Sequence, residues 1–192
     1  MGVYVHYARN VWRCFFCIVS VVLQHELRRG LFFWGGLGGG GWPPLPPKEA
    51  GYADGWVLKC DISKYFYSIQ HEPLKRMVRA YVRDPDVLWL TDMIIDSTEN
   101  PGIPIGNQTS QWFAVMYLSG LDHFIKEKLG IRYYGRYMDD FYLIHEDKAY
   151  LRYCRAEIER YVGELGLKLN NKTNIFPLRN GIDFLGFHTY LT

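Results

Sequence analysis

Residues 132–144 read RYYGRYMDDFYLI, and this stretch decides the fold. Arg132–Tyr137 and Phe141–Ile144 are rich in aromatic and aliphatic residues, which is typical of β-strands. Met138-Asp139-Asp140 lies between them, and two aspartates at that point favour a turn. The sequence therefore predicts a β-hairpin that carries two adjacent carboxylates at its tip.

Strand and helix patterns surround this hairpin on both sides. A mostly apolar run at 56–60 ends at Asp61 and predicts a strand. Helices are predicted at 72–83, 86–96, 110–129 and 147–165, a loop at 100–107, and short strands at 167–169, 173–176 and 182–184. This order predicts an α+β fold in which helices back one face of an antiparallel sheet.

Length and composition are those of a globular protein. The chain has 192 residues, of which 48% are hydrophobic and 22% charged, with a net charge of +2. These values exclude a wholly disordered, collagen-like or coiled-coil chain, and they confine any nucleic-acid site to a local basic patch. The four cysteines do not suit a disulfide framework, and Cys14 and Cys17 lack a second pair for zinc. The cytoplasm is the predicted location.

The first fifty residues differ from the others. Residues 35–47 are rich in Gly and Pro, which favours a linker. The apolar run at 14–23 is shorter than the roughly 20 residues that span a bilayer, although a signal or anchor is an alternative. We expect residues 1–50 to be a poorly ordered leader and residues 51–192 to form the folded domain.

Asp61, Asp139 and Asp140 are candidate metal ligands. If the strand that ends at Asp61 lies beside the hairpin, the three carboxylates converge and repel one another unless a cation neutralises them. Oxygen ligands suit Mg²⁺, and two such ions can activate a 3′-hydroxyl and stabilise leaving pyrophosphate. Adjacent strand residues face opposite sides, so one aspartate of the hairpin has to use the turn. A solvated Asp-Asp turn is the alternative interpretation.

Five segments, in order, resemble the palm of reverse transcriptases. Tyr137–Asp140 is similar to the Y-x-D-D box of that family. The other four segments are KCDISKYF at 59–66, GIPIGNQTSQ at 102–111, LKLNNKT at 167–173 and FLGF at 184–187, which resemble the first, second, fourth and fifth palm motifs. The resemblance extends over most of 51–192 and implies RNA-directed DNA synthesis, in which two metal ions assist the addition of deoxynucleotides to a primer 3′-hydroxyl.

The second motif narrows the resemblance. Most reverse transcriptases have Gln-Gly where this chain has Ile105-Gly106, and Ser-Pro where it has Ser110-Gln111. This variant resembles the reverse transcriptases of diversity-generating retroelements, which copy a template RNA with errors at adenines. Some other bacterial reverse transcriptases share parts of it. The implied partners are template RNA and primer duplex, deoxynucleoside triphosphates and a basic accessory protein, without a membrane.

The resemblance assigns metal and primer roles. Asp61 and Asp139 would bind Mg²⁺ or Mn²⁺, with Asp140 in support and the Ile62 carbonyl as an extra ligand. The residues that would contact the primer are Tyr137, Leu185 and Gly186.

Nucleotide-binding roles also follow from the resemblance. The residues that would bind the incoming nucleotide are Ile62, Lys64, Tyr65, Phe66, Ile105, Gly106 and Lys172. Backbone N–H groups around Lys64 would hold the triphosphate. Phe66 would exclude a ribose 2′-hydroxyl, and core packing is its alternative role. Lys172 would be the general acid for pyrophosphate, with Lys168 as the alternative. Ile105 can only pack, so it either weakens fidelity or fills an apolar gap.

The fingers and the thumb, which reverse transcriptases normally contain, have no recognisable counterpart in this sequence. Residues 1–50 match nothing in the fingers, and the chain stops at Thr192, where a thumb normally follows. We therefore expect incomplete fingers and thumb and poor synthesis by the chain alone. The alternatives are a catalytically inactive palm fragment that binds nucleic acid or a partner protein, and a membrane-tethered protein.

A basic stripe is the last feature of interest. Lys75, Arg79 and Arg83 recur every four residues and share one face of the helix predicted at 72–83. This stripe is either a track for phosphates or a plain solvated surface.

Overall fold

The computed structural model describes residues 54–106 and 108–190. The predicted leader at 1–50, with its linker and apolar run, lies outside these residues. The strands are β1 (Trp56–Asp61), β2 (Tyr133–Tyr137), β3 (Asp140–His145), β4 (Asn174–Pro177), β5 (Ile182–Phe184) and β6 (Phe187–Thr189). The α-helices are α1 (Tyr65–Ser68), α2 (His71–Tyr81), α3 (Pro85–Ile95), α4 (Gln108–Tyr117), α5 (Ser119–His123) and α6 (Lys148–Glu164).

Four strands form one antiparallel sheet in the order β2-β3-β1-β4, and β5 and β6 form a separate hairpin. Alternate residues of the sheet enter two different cores. Leu58 and Leu143 pack with the helices, whereas Val57 and Ile144 pack on the opposite face against the segment that contains the β5–β6 hairpin. The α+β fold with helices behind an antiparallel sheet is therefore confirmed, and within the described residues the hairpin segment covers the second face.

Local chemistry explains where two of the helices begin. The Asp84 carboxylate accepts hydrogen bonds from the backbone N–H groups of Asp86 and Val87, and Pro85 occupies the first turn of α3. Asp147 caps α6 in the same way, by accepting from the N–H of Ala149 at 2.7 Å. These caps satisfy backbone donors that have no partner within the helix.

Two residues of the basic stripe, Lys75 and Arg79, lie on α2 and bind carboxylates, whereas Arg83 lies beyond the end of this helix at Tyr81. Lys75 forms an ion pair with Asp96 at 2.7 Å, and Arg79 forms one with Asp92 at 2.5 Å. Both partners belong to α3 or its C-terminal cap. The stripe therefore ties α2 to α3, although exposed ion pairs of this kind contribute little to stability.

The single helix predicted at 110–129 is wrong. The chain breaks after Tyr117, restarts as α5, and continues as a π-helical turn over Phe124–Lys128. Ser119 and Gly120 lie at the break, a pair that commonly permits a kink. A Cβ at Gly120 would lie 2.5 Å from the hydroxyl of Tyr161 on α6, so glycine lets α6 pack closely there.

Smaller differences concern the end of the chain. The strand predicted at 167–169 is wrong, because this segment contributes only an isolated bridge between Leu169 and Ile62. Strand β6 was not predicted, since its residues are mostly exposed and lack an apolar alternation. Cys60 and Cys154 are free and buried. Among the helices of residues 54–106 and 108–190, none is long and apolar enough to cross a bilayer.

Candidate active site

The ends of β1 and β3 bring the predicted acidic residues together. Asp61 lies directly opposite Asp140 in the antiparallel ladder, so their side chains share one face of the sheet. Asp139 occupies the turn of the hairpin, and its carbonyl accepts a hydrogen bond from the N–H of Ile62 at 3.2 Å. The turn includes Met138 with a left-handed φ of 53°. As the sequence required, one aspartate of the pair belongs to the sheet face and the other to the turn.

Mutual repulsion and partial burial act on these carboxylates. Partial burial raises the pKa of Asp139; its own backbone N–H lowers it, and the charges of Asp61 and Asp140 raise it again. Partial burial likewise raises the pKa of Asp140, although its contact with Lys59 opposes the shift. A site that disfavours its own negative charge attracts a cation.

Lys59 lies on the same sheet face, two residues before Asp61 in β1. Its ammonium group forms an ion pair with the Asp140 carboxylate. The same nitrogen lies 4.6 Å from the centre of the Phe184 ring, in the β5–β6 hairpin. Lys59 therefore connects the acidic residues to the hairpin that covers this face.

Asn170 contacts Asp61 from the segment after α6. Its side-chain amide donates to the Asp61 carboxylate at 2.7 Å, and its backbone N–H donates to the Asp61 carbonyl at 2.7 Å. A further bond joins the Ser63 N–H to the Lys168 carbonyl at 2.9 Å. These two backbone hydrogen bonds are accepted by the carbonyls of Asp61 and Lys168, and not by that of Ile62, which is the predicted extra metal ligand.

The donor set suits a hard divalent cation. Asp61, Asp139 and Asp140 offer oxygen atoms only, which Mg²⁺ prefers over nitrogen or sulfur ligands. The raised pKa values of Asp139 and Asp140 indicate that positive charge is favourable there. Within the described part of the chain, no three His, Cys, Asp or Glu side chains are gathered at metal-binding distance as they stand. Asp140 instead binds Lys59.

The predicted nucleotide-binding residues other than Lys172 lie on two neighbouring segments. The short helix α1 follows Lys64, which has a left-handed φ of 49°. The N–H of Ile103 donates to the Phe66 carbonyl at 2.9 Å, which joins α1 to the loop that holds Ile105 and Gly106. These residues therefore lie beside one another, although about 40 positions separate them along the chain.

Individual side chains on these segments differ in exposure. Tyr65 is buried, and its hydroxyl donates to the Ala114 carbonyl at 2.5 Å, so only its backbone remains available for a ligand. Phe66 is partly buried and packs against the core, edge-on to Tyr65. Ile105 is 60% exposed, and among the described residues it fills no apolar gap. Gly106 has a φ of 92°, which favours glycine.

The predicted primer contacts lie at two turns. Tyr137 is exposed at the end of β2, next to the acidic turn. Leu185 and Gly186 form the two-residue turn of the β5–β6 hairpin, and both have a positive φ. Phe184 anchors this hairpin on the acidic face by packing edge-on against Tyr142, with ring centres 5.1 Å apart. Lys172 is exposed, and within the described residues its side chain forms no hydrogen bond or ion pair with the three aspartates.

Sequence reasoning assigned no role to Lys59 or Asn170. Lys59 could have been recognised, because a lysine within an otherwise apolar strand, two residues before Asp61, has to share its face. Asn170 gave no such signal, since its contact with Asp61 depends on how the segment after α6 returns to β1.

Known proteins show the same architecture. Residues 48–189 match the family model described as reverse transcriptase (RNA-dependent DNA polymerase). Protein YkfC of Escherichia coli (strain K12) is 27% identical to the chain, and the match covers 68% of this chain and 46% of YkfC. The chain thus spans about half the length of this curated relative.

Solved structures of telomerase share the fold. Apo telomerase from Candida tropicalis, truncated from its C-terminal domain, superposes with a TM-score of 0.62 at 14% identity, over 90% of this chain and 37% of that one. Telomerase from Candida albicans in complex with a TWJ fragment of telomeric RNA gives a TM-score of 0.60 at 14% identity, over 91% and 32%. Together with the family match over most of its length, this likeness confirms the resemblance of the palm motifs: the chain belongs to the reverse transcriptase (RNA-dependent DNA polymerase) family.

Proposed function

We propose that this chain is the palm of an RNA-directed DNA polymerase that adds deoxynucleotides to a primer 3′-hydroxyl. The observation that carries the proposal is the placement of Asp61 opposite Asp140, beside Asp139 in the hairpin turn. Partly buried carboxylates such as Asp139 and Asp140, whose pKa values are raised, are costly for folding alone. Such groups are characteristic of functional sites.

The aspartates would hold two Mg²⁺ ions, or Mn²⁺ in their place. Asp61 and Asp139 are the proposed principal ligands, with Asp140 and the Ile62 carbonyl in support. When bound, the ions supply activation of the 3′-hydroxyl and stabilisation of the leaving pyrophosphate. The protein's own contribution is to hold Asp61 and the turn in fixed positions, because positioning supplies much of such catalysis.

The incoming deoxynucleotide would lie between α1 and the loop at 102–106. Backbone N–H groups at Lys64 and Tyr65 would face the triphosphate, and the Phe66 ring would exclude a 2′-hydroxyl. Gly106 would allow the backbone to approach the nucleotide beside exposed Ile105. Lys172 is the proposed general acid, and Tyr137, Leu185 and Gly186 the proposed primer contacts.

The second motif supports a role in a diversity-generating retroelement. Ile105 in place of glutamine, together with Ser110-Gln111, carries this assignment. The polymerase would then copy a template RNA with errors at adenines, assisted by a basic accessory protein. The free, buried cysteines Cys60 and Cys154 suit the reducing cytoplasm.

Single-turnover primer extension tests the proposal. The chain is mixed in excess with a DNA primer on an RNA template, since this format detects slow synthesis, and Mg²⁺ or Mn²⁺ is varied. We expect metal-dependent addition that Asp61→Asn lowers by at least about a hundredfold, equivalent to roughly 2.7 kcal/mol. Asp86→Asn is the matched control, because it removes an exposed carboxylate on α3 and is expected to leave the rate unchanged.

Binding of Mn²⁺, followed by electron paramagnetic resonance, gives a second readout. Weaker binding by Asp61→Asn but not by Asp86→Asn would support the metal role independently of synthesis. A chain that binds primer–template but adds no nucleotide with either metal would contradict the polymerase and favour the catalytically inactive palm fragment.

A further inference from the structure

A buried ion pair lies behind the acidic hairpin, on the helix side of the sheet. Arg136, the residue before Tyr137 in β2, faces Asp122 of α5, and both side chains are only 3% exposed. The guanidinium group donates twice, from Nε to Oδ1 at 2.7 Å and from Nη2 to Oδ2 at 2.5 Å. This two-point contact fixes the plane of the guanidinium group as well as its position.

The carboxylate of this pair is itself held in place. Asp122 Oδ1 also accepts a hydrogen bond from the Tyr134 hydroxyl at 2.6 Å. Burial raises the pKa of Tyr134 far above its ordinary value, so the hydroxyl keeps its proton and acts as a donor. Asp122 therefore binds two residues of β2 at once, and its charge is compensated within the protein.

The remaining guanidinium nitrogen contacts the turn between β2 and β3. Arg136 Nη1 donates to the Met138 carbonyl at 3.0 Å. Met138 has the left-handed φ of 53°, which is uncommon for a residue with a side chain, and Asp139 follows it directly. Arg136 Nη2 also lies 3.5 Å from the Val115 carbonyl in α4. One buried side chain thus spans α5, α4 and the turn.

Stability alone does not account for this arrangement. A buried ion pair is weak evidence for stability, since apolar residues of similar volume often serve as well or better. An apolar residue at position 136 could fill the space but could not bind the Met138 carbonyl. Arg136 instead donates a hydrogen bond that fixes the backbone next to Asp139.

We propose that Arg136, oriented by Asp122, is a positioning residue that fixes the Met138 carbonyl and thereby sets Asp139 relative to Asp61. The inference rests on the proposed function, in which these two aspartates are the principal metal ligands. In this proposal α5, through Asp122 and Arg136, stabilises the turn at Met138-Asp139 from the helix side of the sheet. Arg136 touches no reacting atom in this scheme.

The test compares two variants. Arg136→Met leaves the Asp122 carboxylate buried without its cation and is expected to lower the melting temperature strongly. The double variant Arg136→Met, Asp122→Asn removes both charges, and the new amide oxygen still accepts from Tyr134. We expect it to melt close to the wild type, so that any remaining defect belongs to the turn rather than to folding.

Amide hydrogen exchange measures the turn without reference to catalysis. The Ile62 N–H donates to the Asp139 carbonyl, so its exchange rate reports on the position of the turn. In the double variant we expect exchange at Ile62 to rise about tenfold, as for the loss of one charge-assisted hydrogen bond, while amides within α6 stay unchanged. Unchanged exchange at Ile62 would overturn the inference.

Single-turnover extension is the second readout, beside exchange at Ile62. We expect the double variant to extend primers at least about tenfold more slowly than the wild type despite its stability. Full recovery of the rate together with stability would mean that the pair is structural only, and would overturn the inference. Arg160→Met, which removes an exposed arginine paired with Glu157 and Glu164 on α6, is the matched control and should change neither readout.

The two proposals fail separately. If the wild type adds no nucleotide, the proposed function fails, and exchange at Ile62 still decides whether Arg136 holds the turn. If the wild type is active and the double variant matches it in rate and exchange, the positioning role fails and the polymerase stands.

Discussion

Asn170 binds Asp61 twice, once through its side-chain amide and once through its backbone N–H, each at 2.7 Å. The side-chain oxygen of Asn170 accepts from the Lys172 N–H at 3.1 Å, which orients the amide toward Asp61. Residues 109 positions apart thereby fix the carboxylate at the end of β1. The fourth palm motif thus supports the first through a direct contact with its aspartate.

Replacement of this asparagine tests the contact. Asn170→Ala keeps the backbone bond but removes the donor to the carboxylate, which is worth about 1.5 kcal/mol for a charged acceptor, or roughly a tenfold lower rate. Single-turnover extension and Mn²⁺ titration measure the effect. Asn174→Ala is the control, at an exposed residue of β4 whose side-chain oxygen accepts from the N–H of its neighbour Ile175. Equal rates for both variants would show that Asn170 does not position Asp61.

The ion pair of Lys59 with Asp140 leads to a prediction about metal affinity. Lys59→Met removes a positive charge that competes with cations for Asp140. We expect Mn²⁺ to bind more tightly, by roughly fivefold to tenfold for an interaction of about 1 kcal/mol. Lys148→Met is the control, because Lys148 lies over Trp56 at the far end of β1. Weaker binding by Lys59→Met would mean that Lys59 assists the site instead.

The raised pKa of Asp139 predicts a gain in stability when its charge is removed. A carboxyl group with a raised pKa in the folded state contributes stability below its ordinary pKa, and this contribution is lost as the pH rises through the raised value. At pH 7, without divalent cations, Asp139→Asn should therefore unfold at a higher urea concentration than the wild type, although it should not extend primers.

The difference between the two proteins should shrink as the pH falls toward about 4, the ordinary range of an aspartate, because the wild-type carboxyl takes up a proton as the pH falls through its raised pKa. Urea unfolding of both proteins at the two pH values measures this. A variant that is less stable than the wild type at pH 7 would contradict the assigned direction.

The sequence predicted structural elements formed by residues close along the chain, but it did not predict contacts between residues that only the tertiary fold brings together. The pattern at 132–144 predicted the hairpin, and the apolar run at 56–60 predicted the strand that ends at Asp61, since the alternation of residues is a local property. Whether this strand lies beside the hairpin was left as a condition, because strand order depends on the tertiary fold. The close approach of Tyr161 on α6 to Gly120 joins residues distant in sequence, and no local pattern shows it. The contact of Asn170 with Asp61 and that of Arg136 with Asp122 likewise appear only when distant elements pack together.

Ile105 illustrates the same limit in the site. Its sequence context allowed either a role at the nucleotide or simple packing. The structure leaves the side chain 60% exposed in the loop that hydrogen-bonds to Phe66 through Ile103. A single exposed isoleucine is ordinary on a protein surface, so its exposure leaves the side chain accessible to a ligand, and the role at the nucleotide rests on the resemblance of the second motif.

Ile105→Gln is therefore predicted to raise fidelity. Isoleucine cannot donate or accept a hydrogen bond, whereas glutamine can hold a correctly placed nucleotide, and one such bond is worth roughly 1 kcal/mol, or about fivefold in discrimination. Misincorporation opposite template adenine should fall most, because A·T pairing is the weaker pairing, while the rate of correct addition stays similar. Sequencing of products made on one RNA template measures both. Ile105→Leu, which keeps the apolar character, is the control. An unchanged error rate at adenines would place the selectivity in another part of the polymerase.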